Sequence, residues 1–349
     1  MLRRVIEVER RLPEAATDQA ASPAQPTLPL PAPVQREGQQ LPGVAEGGTA
    51  AEATLAPAPA APGQIEVDQE ATFTALERAL VQEGALLLPA GTVQVEPSLS
   101  YTRQEADAPT FVLQETDRVA ADDIRQDILT AGLTLRLGLP FDSQLTLSIP
   151  YRHRDTSTVT RLDFAGIDEE SGTASGFGDL AVTASKGLLR ERGWRPDVIA
   201  EVSWNTDTGE TDNGVPLGSD FDELTAGVTA SKSQDPLVFV GGVSYSHAFE
   251  DGGIQPGDVF GLSLGTVLAA SPETSLRFFV DNAFFMDTEV DGRNVPGSDE
   301  VVALFSVGAS SILSSWAFVD VEFGIGLTDA APDYTIRVAL PIQFDLPLR

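Results

Sequence analysis

The sequence contains no cysteine, two histidines and two lysines in 349 residues. Without cysteine there is no disulfide scaffold and no thiolate metal site. Two histidines are too few for a histidine metal cluster, so no metal site and no cofactor are expected. The net charge of −30 leaves too few cations to neutralise phosphates, which excludes nucleic acid as a partner. Long apolar runs are also missing. The densest is Ala85-Leu86-Leu87-Leu88, far short of the ~18 residues a membrane-spanning helix needs.

Aromatic residues are missing from the N-terminal stretch. No Phe, Tyr or Trp precedes Phe73, while ten of the 24 prolines fall within the first 62 positions. Such a segment cannot bury enough apolar surface to offset its ordering entropy. Residues 1–65 are therefore read as a disordered Pro/Ala-rich extension, opening with a short helical stretch at 2–12. Arg3 and Arg4 are not followed by an apolar run of ~7–15 residues, so no signal peptide is visible and an upstream start or a processed form is expected. Residues 66–91 form a second unit. An amphipathic helix is predicted over 68–83, with Phe73, Leu76, Leu80 and Val81 on one face and Gly84 as its stop.

From residue 92 the period becomes two. Val93, Val95, Leu99 and Tyr101 alternate with Gln94, Glu96, Ser98 and Ser100, and similar alternation recurs to Phe344. Twelve strands are predicted, near 92–103, 124–137, 144–154, 176–186, 197–206, 224–232, 236–249, 259–268, 275–286, 301–312, 316–327 and 334–344. Residues 111–119 also have strand character and are assigned to a loop extension. Most of these strands have the ~9–11 residues that cross a bilayer at a tilt, and an even count suits a closed barrel. The third unit, 92–349, is thus read as an all-β, antiparallel transmembrane β-barrel in the outer membrane of a Gram-negative bacterium.

Alternation alone does not separate a membrane barrel from a soluble sandwich. Three asymmetries favour the barrel. Alternate connections are long (104–123, 155–175, 207–223, 250–258, 287–300 and 328–333), as on the outer side of such barrels. Those six carry −24 of the net −30, whereas the short inner turns are neutral and hold both lysines, Lys186 and Lys232. Tyr101, Tyr151, Trp204, Tyr245 and Tyr334 fall at predicted outer strand ends, and Trp194 and Trp316 at inner ones. This is the placement of an aromatic girdle at headgroup level.

The same alternation turns Glu96, Arg136, Glu201, Arg277, Asp281, Asp320, Glu322 and Arg337 toward the lumen. Facing lipid at mid-depth, the basic ones would each cost ~2–4 kcal/mol.

Four blocks carry a family likeness: ALLLPAGTVQVEPSLSYTR, GLPFDSQLTLSIPYRHR, SGFGDLAVTASKGLL and GIGLTDAAPDYTIRVALPIQF. In that order they resemble outer-membrane proteins of the meta-pathway phenol-degradation type, over about 70–349. The resemblance implies a barrel that passes small, including aromatic, compounds. It supplies no catalytic motif. The tail DLPLR after Phe344 departs from the C-terminal aromatic that marks many barrels for assembly.

Local motifs yield no enzyme. Gly261-Leu262-Ser263-Leu264-Gly265 imitates a nucleophile elbow, but neither His153 nor His247 follows Ser263, and period two explains the match. His153-Arg154-Asp155 lacks the asparagine of a kinase catalytic loop. Ser246 and His247 are adjacent on a strand and point to opposite faces. The loop 207–223 is rich in oxygen donors without calcium-loop spacing, so it reads as an acidic surface with weak divalent-cation affinity at most.

The leading function is passage of small solutes, with outer-membrane lipid and lipopolysaccharide as surroundings. The alternative is a structural or binding barrel whose acidic loops engage divalent cations, lipopolysaccharide or an extracellular partner. A secreted soluble β-protein is the third reading.

Overall fold

A computed structural model describes residues 69–114, 116–162 and 166–346. The extension 1–65 and the stretch 2–12 lie outside the described residues, as do 347–349. Twelve antiparallel strands close into one barrel. They are β1 (Thr92–Gln114), β2 (Thr116–Leu139), β3 (Ser143–Leu162), β4 (Gly166–Phe177 and Ala181–Leu189), β5 (Asp197–Asn205) and β6 (Glu223–Gln234). They continue as β7 (Leu237–Ala248), β8 (Val259–Ser271), β9 (Thr274–Phe285), β10 (Glu300–Ser314), β11 (Ala317–Gly326) and β12 (Tyr334–Ala339 and Ile342–Asp345). Each strand pairs with its chain neighbour, and β1 pairs with β12 (Leu99 opposite Val338, Val93 opposite Phe344) to close the cylinder. Closure leaves no sheet edge unpaired, which a lipid environment requires.

The alternation predicted from sequence sorts the two faces. Leu99, Leu133, Val202, Phe239, Val243, Phe260, Phe278, Phe323, Ile336 and Val338 are exposed on the outer face. Their neighbours Gln94, Glu96, Arg136, Ser263, Arg277 and Asp320 are buried inside. An apolar band around a whole barrel far exceeds what a water-soluble monomer exposes. Hydrocarbon is its natural solvent, and the fold is an outer-membrane barrel.

One expectation is corrected. The connections 104–123 and 155–175 are not loops. β1 and β2 pair continuously from Val93–Leu137 to Gln114–Thr116, and β3 and β4 continue to Leu162–Gly166. The strand character of 111–119 belongs to the tip of that first hairpin. Strands of 20 to 24 residues are about twice what a bilayer needs, so these two hairpins project beyond it. Acidic residues masked the continuation, because above the lipid neither face need be apolar. For the same reason Tyr101 and Tyr151 lie within strands rather than at their ends.

The predicted helix is α1 (Gln69–Gln82). It stops where Gly84 takes a left-handed conformation (φ 64°) and Ala85 N–H donates to Leu80 O at 2.9 Å, a glycine-terminated helix end. α1 lies inside the barrel. Ala79 and Leu80 pack with Ala85 on Val238 and Val240 of β7, Val267 of β8 and Phe279 of β9, with Leu76 and Leu86 at the margin. The side chain of Phe73 lies outside the described ones.

Candidate functional site: the barrel interior

Alternation places a layer of ionic side chains across six neighbouring strands. On β1, Glu96 is fully buried; it accepts from Arg136 of β2 and from Arg337 of β12 at 2.5 Å. Gln94 donates to Glu96 at 3.2 Å and accepts from Gln343 at 3.0 Å. Arg337 stands opposite Glu322 of β11 in register. Glu322 in turn accepts from Arg277 of β9 at 2.8 Å. Arg277 also grips Asp320 of β11 through two bonds of 2.5 and 2.7 Å, and Glu83 after α1 at 2.9 Å. Ser310 of β10 donates to Asp320 at 2.5 Å. A carboxylate or guanidinium stripped of water is tolerated inside a protein when its partners are this close.

Glycine makes the layer possible. A Cβ on Gly308 would sit 2.4 Å from Arg277 Nε, so the guanidinium can cross β10 because that position has no side chain. A Cβ on Gly265 would likewise meet the Phe279 ring at 2.3 Å.

The lumen-facing set does not act as one group. Glu96, Arg136 and Arg337 form one cluster, and Arg277, Asp320 and Glu322 a second. Asp281 is buried on β9 and bonded to neither cluster, with no well-formed hydrogen bond to its carboxylate among the described residues. Glu201 is half-buried on β5, close to Gly227 of β6. Glu83, Ser310, Arg152 and Arg154 join the interior without being among the expected lumen-facing residues. Arg152 and Arg154 share the inward parity of β3, a signal present in the sequence. Glu83 carries none, because its place depends on how α1 docks.

The helix enters from the end of the short turns. Arg78 donates to the carbonyls of Ser314 (3.3 Å) and Ser315 (2.6 Å) at the β10–β11 turn and stacks over Phe318. After Gly84 the chain crosses to the opposite wall. Leu88 N–H donates to Gln144 of β3 at 2.9 Å, and Gly91 N–H to Gly138 O of β2 at 2.9 Å. α1 and this crossing segment therefore stand between the lumen and the short-turn end.

At the other end, the connection 206–222 folds inward instead of standing free. Asp179, in the break of β4, accepts from Thr208 N (3.2 Å), Gly209 N (2.7 Å), Ser219 N (2.5 Å) and Ser219 Oγ (2.8 Å). Leu217 is fully buried, and its carbonyl accepts from Arg152 at 2.8 Å. Crowding by Asp179 and Asp222 and partial burial raise the Asp207 carboxyl above its ordinary value, burial first. A hollow of about 300 Å³ lies beside this mouth, lined by His247, Gln255, Asp258, Met286, Asp287 and Glu289 among others.

The aromatic residues lie as follows. Tyr151, Trp204 and Tyr245 are exposed on the outer face, and the Tyr101 and Tyr334 rings meet at a tilt of 43° with centres 5.9 Å apart. Trp194 and Trp316 are exposed in the β4–β5 and β10–β11 turns. The serine and histidines singled out earlier are held apart. Ser246 pairs inward with Thr225 at 2.7 Å, while His247 bonds Asp258 at 2.6 Å and His153 bonds Ser175 at 2.6 Å.

Residues 78–344 match the family model described as "Putative MetA-pathway of phenol degradation", over three-quarters of the chain. The chain belongs to that family. Among solved structures, this member of the phenol-degradation family is similar to an outer membrane channel from Pseudomonas putida F1. The identity is 15%, the TM-score 0.55, and the match covers 74% of this chain and 97% of that one. Two further structures have lower TM-scores. The transport unit of an Escherichia coli autotransporter, AIDA-I, gives 0.40 at 11% identity, covering 81% of this chain and 100% of that one. The P. putida toluene transporter TodX gives 0.35 at 9% identity, covering 74% and 91%. The first likeness shows a shared fold.

Proposed function

We propose that this chain is an outer-membrane channel for small solutes, including hydrophobic and aromatic ones, and works as a conduit rather than a catalyst. One observation carries the reading. Among the described residues the barrel interior carries many buried polar and charged side chains beside an apolar stripe of Val238, Val240, Val267 and Phe279, and that stripe is covered by a helix that enters the lumen instead of forming part of its wall. Family membership and the channel fold support it. Twelve strands lie between the eight that side chains can fill and the sixteen that leave an aqueous channel. A narrow, partly obstructed passage suits small molecules.

Planar-bilayer conductance and liposome uptake of phenol against a disaccharide test the reading. The chain should pass phenol and exclude the sugar. Leu80→Asp, which puts a charge between α1 and its stripe, should raise conductance and relax the size limit. No current and no uptake from either form overturns the proposal. The acidic outer connections favour cations at the mouth and supply sites for divalent ions that bridge lipopolysaccharide, an accessory role within the same reading.

A further inference from the structure

Asp281 is two positions beyond Phe279 on the inward face of β9 and is 3% exposed. Among the described residues neither of its carboxylate oxygens has a well-formed hydrogen bond. Ser263, opposite it in register on β8, is 1% exposed; its hydroxyl faces the carboxyl, and among the described residues it has no well-formed hydrogen bond to any other group. The next residue in that row, Gly242 of β7, has no side chain to fill the space. Ser263 is the polar neighbour that faces the Asp281 carboxyl, and the charged groups acting on it are Glu83, just past α1, and Glu322, both acidic. Arg277 cannot compensate them all, since it already holds Glu83, Asp320 and Glu322. A buried carboxylate with one hydroxyl beside it and only carboxylates as its charged neighbours is unfavourable unless something positive joins it.

We propose that Asp281 and Ser263, with Glu83 from the helix tip, hold a small inorganic cation of the oxygen-ligand class inside the barrel. The donors are carboxylate and hydroxyl oxygens, which suit Ca²⁺, Mg²⁺ or an alkali ion completed by water and disfavour thiophilic metals. Such an ion neutralises the enclosed negative charge. It also ties α1 to the wall at mid-barrel, so occupancy and helix docking rise together.

The test uses the full chain in detergent, freed of metal and titrated with CaCl2 by calorimetry and by thermal melting, with choline chloride as the ionic-strength control. Binding at the acidic outer connections is common to all variants, so the difference between variants isolates the interior site. The wild type should bind Ca²⁺ and melt higher with it. Asp281→Asn should lose that response, and Ser263→Ala, which keeps the charge, should weaken the affinity by about tenfold or more. Responses of both variants equal to the wild type overturn the proposal. So does a wild type indifferent to Ca²⁺ alongside an Asp281→Asn form of equal or greater stability, since the group then carries a proton instead. These readouts follow ion binding and not solute passage, so their failure leaves the channel reading untouched.

Discussion

Arg277 of β9 and Asp320 of β11 meet across the intervening strand through two parallel hydrogen bonds of 2.5 and 2.7 Å, passing over Gly308 of β10. Both side chains are almost fully enclosed. Removing Arg277 strands the buried Asp320 charge, at a cost of about 3–5 kcal/mol, whereas removing Asp320 leaves the guanidinium bonded to Glu83 and Glu322. Arg277→Leu should therefore lower the denaturant midpoint of the detergent-folded barrel sharply, and more than Asp320→Ala does. The double replacement Arg277→Leu with Asp320→Leu should be less damaging than Arg277→Leu alone, because one of the stranded carboxylates is then gone. A double form as unstable as the sum of the single ones would show that the pair matters for shape and not for charge.

A second prediction concerns the stripe under α1. A Cβ at position 265 would press into the Phe279 ring at 2.3 Å, so Gly265→Ala should destabilise by about 1–3 kcal/mol. Phe279→Leu should recover part of that loss when combined with it. The coupling is read from a double-mutant cycle of unfolding free energies, and strict additivity would mean that the ring moves aside freely.

Much of this architecture was legible because its cause is local. In Val319-Asp320-Val321-Glu322-Phe323, period two records which side faces lipid, and the same arithmetic put Arg277 and Glu96 inside. It could not pair them. Glu96 joins Arg136 from the neighbouring strand and Arg337 from the far end of the chain, a contact that exists only once β1 meets β12. It also could not see the length of β1 to β4. Alternation signals strand only where one face is apolar, and that condition ends where the hairpins leave the bilayer. Glu83 and Asp179 escaped notice for a third reason: each works from a break between regular elements, where no period applies.

Asp179 gives a third prediction. Its carboxylate gathers four donors from the connection 206–222, three of them backbone N–H groups. Asp179→Ala removes the acceptor and leaves those donors to water. The barrel strands are not touched by this change. The variant should keep its melting temperature within a few degrees yet be cut by protease between Asp207 and Asp222 while the wild type resists. Equal resistance would mean that Leu217, buried beneath Arg152, anchors the connection without help.

The short-turn rim yields a prediction about pH. Glu191 in the β4–β5 turn is bonded to Lys232 of β6 and accepts from Ser233 N–H at 3.0 Å. The Lys232 bond, above all, holds the Glu191 carboxyl below its ordinary value of 4.5. A carboxyl depressed on folding contributes stability that is complete above its unfolded value and disappears as pH falls through the lower folded value. The tether between the turn 190–196 and β6 should thus be intact at pH 7 and lost progressively below about 4.5. Both side chains are partly solvated, so the effect is at most about 1 kcal/mol and will not unfold the barrel. It should appear as faster backbone hydrogen exchange at Ser233 and in the turn at pH 3 than at pH 7, after correction for intrinsic rates. Glu191→Gln should exchange fast at both values. If the wild type exchanges equally at both, the Ser233 N–H bond holds the turn whether or not Glu191 is charged.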